Sequence, residues 1–440
     1  MTTPSFSVDS QRAFALLDKI GFVRMAGTPQ ESRAADMIAD ELADAGLTAR
    51  LETFDIPDAE ECSATLEVLE PYRASYAVTA YKCSANTPDA GLEGDFLYVE
   101  DASEADLLHA RGKIVLVNGY LRLPLYRKLL QAGVAAFITM SGDVRDTPKD
   151  SDLFNRMLRE PLLRQGDPLP GANLRIADAM ELVRRRAARV RLAVHSRPVQ
   201  RTSRNVTAEV PGTDGGREFL TLTAHYDSVE FSNGVYDNGA GSVILLELAR
   251  WFAAHPPRRT LRFVWCGSEE IGLEGSKAYV RDHADELADC RFLLNVDVGA
   301  PVLGHDVVRL TAAESVQAFT DCFMKLRGYG VQVERGIYSS DNMPFADADI
   351  PAASFAREAA PGGGYIHCRY DRMDWLSADA LGKTALQMLD YTDTLANAAI
   401  FPFERLVPED MHQQIDRYFY KKELEEAREA AEKKAAEANG

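Results

Sequence analysis

The sequence predicts an α/β fold: a three-layer αβα sandwich with a mixed, mostly parallel central sheet, joined to a smaller β-rich α/β insert domain. Three apolar runs have the length and composition of buried strands, namely EFLTLTA (218–224), TLRFVWC (260–266) and RFLLNV (291–296). Helical segments at 239–255 and 274–288 separate them. Strands that alternate with helices of this length indicate parallel pairing, with helices on both faces of the sheet.

The N-terminal part of the chain is predicted to form two helices and a strand. Residues 9–20 and 31–46 carry apolar side chains at helical spacing, and Thr28 followed by Pro29 is typical of a helix start. Residues 48–56 alternate between apolar and polar side chains in the manner of a half-buried strand. We therefore expect a helix–helix–strand opening.

The pattern changes in the middle of the chain and again at its end. Short strand-like runs surround one helix between residues 65 and 196, so we predict that 65–196 is an insert within a domain formed by 1–64 and 197–400. Residues 401–440 turn polar and end in KKELEEAREAAEKKAAEANG, which favours a solvated helical tail. A helical oligomerisation arm is the alternative that we retain for this tail.

The composition limits the classes of partner. Lys and Arg number 49 against 67 Asp and Glu, a formal net charge of −18, and nucleic-acid binding draws most of its affinity from basic side chains. No segment approaches the ~20 apolar residues of a membrane span, and the first residues do not resemble a signal peptide. The six cysteines are scattered, which suits reduced thiols. We therefore expect a cytoplasmic protein that binds neither nucleic acid nor membranes.

Several side chains typical of metal sites follow the predicted strands or open the helix at 239–255. They are His225, Asp237, Glu269, Glu270 and Asp297. Because ligands of parallel sheets bind at the carboxyl ends of the strands, we expect these side chains to converge. Each has an ordinary structural explanation, such as Asp237 capping the helix, but those explanations do not predict a common edge. The sequence therefore predicts a metal site at this edge.

The segments around these residues match an ordered set of motifs. The motifs are HYDSV (225–229), YDNGAGS (236–242), SEEIGLEGS (268–276), NVDVG (295–299), YSSDNMPF (338–345) and YIHCRYDRMD (365–374). Together they resemble the di-zinc aminopeptidases of metallopeptidase clan MH, which include bacterial leucyl aminopeptidase and glutamate carboxypeptidase. The resemblance covers roughly 1–60 and 197–400, and the segment between is similar to the protease-associated insert of several members.

The resemblance implies a metal ligand set in this chain. The implied ligands are His225 and Asp297 for one zinc ion, Glu270 and His367 for a second, and Asp237 as the bridge between them. Three protein ligands for each ion leave coordination free for water and substrate, as catalytic zinc requires. The resemblance thus implies two Zn²⁺ ions as cofactors, although other divalent metals suit the same ligands.

The resemblance also implies roles for residues that do not bind metal. Glu269 would be the general base, which takes a proton from a metal-bridging water and returns it to the leaving amine. Asp227 would accept a hydrogen bond from the imidazole of His225 and fix its orientation. In the family the bridging aspartate is joined to the next residue by a cis peptide, which here is the bond between Asp237 and Asn238.

Further residues in the matching motifs are candidates for substrate contact. They are Tyr338, Asp341, Arg357 and Tyr365. Either tyrosine is placed to donate a hydrogen bond to an oxyanion or to line the pocket. An arginine would bind the free carboxylate of a substrate and a carboxylate would bind its free amine, and Arg357 and Glu358 are adjacent. The choice between an aminopeptidase and a carboxypeptidase therefore stays open at this stage.

We predict a zinc-dependent exopeptidase that acts on peptides, first as an aminopeptidase that removes N-terminal residues. A carboxypeptidase on the same fold is the main alternative, and a single-zinc cyclase is disfavoured because all the ligand positions are present. A non-catalytic, receptor-like interaction protein would be expected to have lost ligands. The insert or the C-terminal tail is where we expect a homo-oligomer to form, if one does.

Overall fold

The computed structural model describes residues 6–438, with side chains through residue 433. Its strands, in chain order, are β1 (Arg50–Asp55), β2 (Glu60–Glu70), β3 (Ala74–Tyr76), β4 (Val78–Lys82), β5 (Leu92–Tyr98), β6 (Ile114–Leu116), β7 (Ala136–Ser141), β8 (Arg156–Met157), β9 (Gly171–Arg175), β10 (Arg189–Pro198), β11 (Thr202–Val210), β12 (Phe219–His225), β13 (Thr260–Cys266), β14 (Cys290–Val296), β15 (Gly304–Thr311), β16 (Val331–Arg335) and β17 (Ala352–Ala359).

The helices are α1 (Ser10–Ile20), α2 (Pro29–Asp44), α3 (Glu104–Leu107), α4 (Leu123–Ala132), α5 (Glu160–Leu163), α6 (Ile176–Arg184), α7 (Ala240–Ala254), α8 (Glu274–Asp282), α9 (Glu314–Arg327), α10 (Asn342–Asp347), α11 (Ala378–Asn397), α12 (Glu409–Tyr418) and α13 (Lys421–Ala438). The α/β fold class predicted from the sequence is confirmed. The predicted N-terminal helices are α1 and α2, and the predicted helix at 274–288 is shorter, ending with α8 at Asp282.

Helices α1 and α2 begin where the sequence supplies a capping side chain. The carboxylate of Asp9 accepts the backbone N–H of Arg12 at 2.9 Å. The hydroxyl of Thr28 accepts the N–H of Glu31 at 3.3 Å, and Pro29 takes the first helical position, where its missing N–H costs nothing. Local sequence chemistry therefore fixes the start of both helices.

The first of two compact units comprises Met1–Ile56 and Arg201–Tyr418. Its eight-stranded sheet has the order β1-β11-β13-β12-β14-β17-β15-β16. Strands β13, β12, β14 and β17 are parallel neighbours in the centre, and β15 and β16 are also parallel. The antiparallel pairs are β1 with β11, β11 with β13 and β15 with β17. The predicted mixed, mostly parallel sheet is confirmed.

Both faces of the central strands are buried. In β13, Phe263 and Trp265 belong to a large core that also contains apolar residues of α1, α2, α7, α9 and α11. The alternate residue Val264 belongs to a separate core with Tyr279 of α8 and Phe345 of α10. Since successive side chains of a strand point to opposite faces, helices cover the sheet on both sides. In such a three-layer arrangement, ligands commonly bind at the carboxyl ends of the parallel strands.

The second unit comprises Pro57–Gln200 and Phe419–Gly440. It contains a nine-stranded sheet with the order β3-β2-β10-β5-β6-β7-β9-β4-β8, in which β5, β6, β7 and β9 are parallel neighbours. Its apolar side chains form two cores of their own within the described residues. The structure therefore places a separately packed, β-rich α/β unit where the sequence predicted an insert.

The boundaries of this unit lie outside the predicted limits of 65 and 196. The long strands β2 and β10 pair from Glu60 opposite Pro198 to Glu70 opposite Arg189. Because β2 and β10 pair along this whole length, the second unit begins before residue 65 and continues beyond residue 196. The residue pattern alone missed this because the first part of β2 is polar and only half-buried.

The C-terminal segment does not begin at residue 401 as a separate tail. Phe401 and Phe403 are buried in the core of the first unit, where their rings contact Phe292 of β14. The guanidinium of Arg405 donates to the carbonyl of Cys290 at 3.1 Å, which ties the segment to the same strand. Helix α12 also belongs to the first unit, and α13, the predicted polar helix, is grouped with the second.

None of the helices in the described part of the chain has both the length and the apolar character that crossing a bilayer requires. The six cysteines, which lie within that part, are all free thiols. The expected absence of a disulfide framework therefore agrees with the structure.

Truncation of Phe403 tests whether this segment is part of the core. We expect Phe403→Ala to lower the free energy of unfolding of the first unit by about 3–5 kcal/mol, as loss of a buried aromatic side chain does. All three tryptophans of the chain, at 251, 265 and 375, lie in that unit, so denaturant unfolding followed by tryptophan fluorescence reports on it. Leu326→Ala is the matched control, because Leu326 is 82% exposed on α9. Equal, small effects of both variants would contradict the core assignment.

Candidate metal centre

Adjacent central strands deliver most of the candidate ligands. His225 is the last residue of β12, Asp297 directly follows β14, and Glu269 and Glu270 lie in the loop after β13. Because β13, β12 and β14 are parallel neighbours, all these side chains emerge at one edge of the sheet. The strand order therefore explains why residues far apart in sequence meet.

The other two candidates come from loops. Asp237 lies in the turn that leads into α7, and His367 lies between β17 and α11. The peptide bond from Asp237 to Asn238 is cis, as the family resemblance implied. The side chain of Asn238 accepts the N–H of Gly241 at 2.9 Å and donates to the carbonyl of Val296 at 2.9 Å. These bonds tie the turn to both α7 and the end of β14.

The ligand atoms form two groups that share Asp237. In the first group, Nε2 of His225 lies 3.2 Å from Oδ1 of Asp237 and 3.4 Å from Oδ1 of Asp297. In the second, Nε2 of His367 lies 3.1 Å from Oδ2 of Asp237 and 3.1 Å from Oε2 of Glu270. Within each group the ligand atoms are no more than 4.8 Å apart. Each carboxylate oxygen of Asp237 thus faces a different histidine.

The electrostatics of the site favour positive charge. Burial disfavours a charged imidazole, but the carboxylates of Glu269 and Asp297 outweigh it and raise the pKa of His225 well above its usual range. The same competition between burial and carboxylates raises the pKa of His367 to about 11. Burial also disfavours charge on Asp237, yet hydrogen bonds with the two imidazoles lower its pKa. The negative electrostatic potential of these carboxylates therefore stabilises a cation at the site.

The pKa values of three other carboxylates, those of Glu269, Glu270 and Asp341, are raised. Burial raises the pKa of Glu269 well above its usual range, to which the neighbouring charge of Glu270 contributes. Burial likewise raises the pKa of Glu270 to about 7 and that of Asp341 to about 6. The protein alone therefore cannot keep all these carboxylates charged, whereas a bound dication would lower their pKa values.

The residues present fit a zinc ion in each group. Oε1 of Glu270 and Oδ1 of Asp297 are buried and have no hydrogen-bond partner among the described residues. Such a group costs about 1–3 kcal/mol unless something else satisfies it. Imidazole nitrogens and carboxylate oxygens, three to an ion, are the donors of catalytic zinc sites. Metal coordination accounts for these atoms in a way that the protein by itself does not.

Asp227 contacts the site differently from the sequence-based expectation. Its Oδ1 lies 3.4 Å from Nδ1 of His225, so the predicted partner is adjacent. Its shorter contacts are with the backbone, because Oδ1 accepts the N–H of Glu269 at 3.0 Å and Oδ2 accepts the N–H of Glu270 at 3.2 Å. One fully buried carboxylate therefore orients the loop that carries both glutamates.

Glu31 supports the same loop and was not recognised as a site residue from the sequence. Its Oε1 accepts the N–H of Ser268 at 3.0 Å and the hydroxyl of Ser203 at 2.7 Å. Burial raises its pKa to about 7. In the sequence Glu31 signals only a helix start, and a contact that spans this much of the chain leaves no local pattern.

The residues predicted to contact substrate differ in how deeply they are buried. Tyr338 donates its hydroxyl to the carbonyl of Asp297 at 3.2 Å, so it packs against the ligand's backbone. Asp341 is fully buried, which removes it from direct contact with a substrate approaching from solvent. Tyr365 is 51% exposed and lies two residues before His367. Of these candidates, Tyr365 has the exposure that a substrate contact needs.

Arg357 does not have the free guanidinium that the substrate-binding prediction requires. It is buried, with Nε donating to the carbonyl of Pro301 at 2.9 Å and Nη1 to Oδ1 of Asp306 at 3.3 Å. Its neighbour Glu358 is paired with Arg309. Both side chains are therefore held within the chain, because β17 pairs with β15, the strand that carries Asp306 and Arg309.

Comparison with known proteins finds a peptidase family model that matches the site region. Residues 205–392, which include every ligand candidate, match the model described as Peptidase family M28. Aminopeptidase YwaD of Bacillus subtilis is 27% identical over 386 residues, which are 81% of this chain and 78% of that protein. Carboxypeptidase Q of Mus musculus is 27% identical over 307 residues, 66% of this chain and 64% of that protein.

A solved structure shares the fold over nearly the whole chain. BSAP, a zinc aminopeptidase from Bacillus subtilis, superposes with a TM-score of 0.75 and 22% identity over 92% of this chain and 99% of that chain. The family resemblance drawn from the motifs is confirmed, and so is the prediction of a hydrolase of the metallopeptidase class. Zinc, the predicted cofactor, agrees with this family and with the donor set of the two groups.

Zinc binding should stabilise the first unit, because it relieves repulsion among the buried carboxylates. Zinc added to chelator-treated protein at about 100 times its dissociation constant is expected to contribute about 2.7 kcal/mol of stability. Thermal unfolding followed by tryptophan fluorescence measures this. Asp237→Ala is the control, since Asp237 belongs to both groups, and it should lose most of the zinc-dependent shift. An undiminished shift in that variant would show that zinc binds elsewhere.

Proposed function

We propose that this chain, whose residues 205–392 belong to peptidase family M28, is a zinc-dependent aminopeptidase that removes N-terminal residues from peptides. The observation that carries the proposal is the pair of ligand groups that share Asp237, with Glu269 beside them and in neither group. Adjacent identical side chains thus have different surroundings: Glu270 faces His367, and Glu269 is left for acid–base work.

The chain's own residues supply the proton transfer and the positioning. The carboxylate of Glu269 is placed to take a proton from the attacking water and to return it to the leaving amine. Asp227 holds the backbone of Glu269 and Glu270, so the base and its neighbouring ligand keep a fixed separation. Zinc, when bound, would polarise the scissile carbonyl and acidify water.

Substrate access is on the side of His367. Its side chain is 50% exposed, whereas the side chains of the other candidate ligands are at most 9% exposed. Ile366 and Tyr365, 46% and 51% exposed, adjoin it on the same loop. A peptide that reaches the metals from this side would meet an apolar rim before the ligands.

Cleavage at the N-terminus is favoured over cleavage at the C-terminus by the state of Arg357. A carboxypeptidase needs a free cation for the substrate's carboxylate, and Arg357 is occupied by Pro301 and Asp306. The similarity to aminopeptidase YwaD supports the same choice. The similarity to carboxypeptidase Q keeps a carboxypeptidase as the second candidate.

We infer two zinc ions, one for each ligand group, because Asp237 presents a separate oxygen to each histidine. We infer that the second unit is a protease-associated domain, on the similarity of its sequence motifs. A cytoplasmic location is proposed from the free cysteines, and a homo-oligomer formed through the second unit or α13 stays a prediction.

Replacement of Glu269 by glutamine tests the assignment of the base. We expect turnover to fall by about 10²–10⁴-fold, the usual contribution of a general base, with zinc content unchanged. Glu274→Gln is the matched control, because Glu274 lies in the first turn of α8 and pairs with Lys277. Turnover by Glu269→Gln at the wild-type rate, or loss of zinc from it, would contradict the role.

Blocked peptides decide which terminus is recognised. A set of peptides with free ends is compared with the same peptides acetylated at the N-terminus or amidated at the C-terminus, and the products are identified by mass. We expect acetylation to abolish hydrolysis and amidation to leave it nearly unchanged. The reverse pattern would make the protein a carboxypeptidase, and hydrolysis of neither set by a zinc-loaded sample would remove the peptidase proposal.

A further inference from the structure

Two buried charged residues outside both ligand groups hold the segment that carries Asp237. Arg24 contacts the carbonyls on one side of this segment, and Asp371 contacts the N–H groups on the other. Both side chains are fully buried, at 0% exposure. Neither residue was a candidate from the sequence.

Arg24 binds the backbone before the bridging residue. Its Nη1 donates to the carbonyl of Asn233 at 2.6 Å, and its Nη2 donates to the carbonyl of Gly234 at 2.6 Å. Its Nε donates to the carbonyl of Tyr226, one residue after His225. A single guanidinium therefore joins the end of β12 to the turn that presents Asp237.

The approach of Arg24 depends on glycine at position 234. The φ angle of Gly234 is +57°, and a Cβ there would lie 2.6 Å from Cβ of Ser228 and 3.0 Å from Nη2 of Arg24. Any other residue would displace the guanidinium or the turn. The absence of a side chain at Gly234 therefore leaves room for the guanidinium of Arg24 beside the backbone carbonyls.

Asp371 binds the backbone of the bridging residue itself. Its Oδ1 accepts the N–H of Tyr236 at 2.8 Å, and its Oδ2 accepts the N–H of Asp237 at 3.1 Å. Its own N–H donates to the carbonyl of Cys368 at 3.1 Å, which closes a turn beginning next to His367. Asp371 therefore links the backbone of Asp237 to the loop that carries its partner His367.

Asp371 also favours the buried charge of Arg24. Burial lowers the pKa of Arg24, and Asp371 is foremost among the carboxylates that oppose this. Burial raises the pKa of Asp371, which the hydrogen bond from the N–H of Tyr236 opposes. Hydrogen bonds to ionised groups are stronger than neutral ones, so an anion on the N–H side and a cation on the carbonyl side hold this turn tightly.

We propose that Arg24 and Asp371 are positioning residues for the metal centre, which fix the backbone of Asp237 and its distance from His367 so that zinc meets preformed ligands. The inference rests on the proposed function only in that zinc is the metal. Residues that orient metal ligands typically contribute about 10–100-fold to affinity. A residue with a purely structural role would instead change the stability of the zinc-free protein.

Zinc affinity measured by competition with a chromogenic chelator tests the proposal in the full-length chain. We expect Asp371→Asn, which keeps the shape but removes the charge and replaces one of the two acceptor oxygens by an NH2 group, to weaken zinc binding by about 10–100-fold. Arg24→Lys, which keeps the charge and loses the planar fork, should weaken it by a smaller factor. Asp374→Asn is the matched control, since Asp374 lies in the same motif, exposed and paired with Arg372, and should bind zinc as wild type does.

Melting of the zinc-free variants separates positioning from general stability. Weaker zinc binding with an unchanged zinc-free melting temperature supports the proposal. Unchanged zinc affinity in Asp371→Asn, or a fall equal to that of Asp374→Asn, overturns it. If Asp371→Asn does not fold, Arg24→Lys decides by the same two criteria. Failure of the proposed function looks different, because the zinc-loaded wild type would then remove no N-terminal residues from peptides, whatever the zinc affinity of the variants.

Discussion

The carboxylates of Asp237, Asp297, Glu269 and Glu270 are buried together at one end of the central strands, and their mutual repulsion constrains everything around them. Two like charges 4 Å apart repel by about 4 kcal/mol even at an effective dielectric constant of 20. Several such pairs approach the whole stability of a typical domain, about 5–15 kcal/mol. The fold can keep these carboxylates close only with compensating cations. The arrangement is therefore costly without metal and binds metal strongly.

Further buried carboxylates hold the backbone of the loops that carry the ligands. Asp227 and Asp371 each accept two consecutive N–H groups, of residues 269–270 and of residues 236–237, and each therefore turns a flexible loop into a fixed support for a ligand. Glu31 does the same for the residue before Glu269. These carboxylates hold the backbone of the ligand-bearing loops, so the ligands keep fixed positions around a bound cation.

The parts of this site that follow local rules could be predicted, and those that depend on long-range packing could not. Strand periodicity placed His225 and Asp297 at strand ends, and the parallel order then required that they meet. Arg24 and Asp371 are ordinary charged residues in sequence, and their roles arise only when α1 and the His367 loop pack beside the turn at Asp237. The contact of Arg357 with Asp306 could not be predicted for the same reason, since the sequence position of Arg357 says nothing about the strand that pairs with β17.

The first unit is interrupted between two paired strands of its sheet. Strands β1 and β11 are antiparallel partners, with Asp55 opposite Thr202, and the N–H of Ile56 donates to the carbonyl of Arg201 at 2.9 Å. Residues 57–200 thus occupy the position of the connecting loop of a β-hairpin. A short turn would join the same two strands, and loop-closure entropy rises only slowly with length. The first unit therefore accommodates this long connection at a hairpin tip without any change to the register of its sheet.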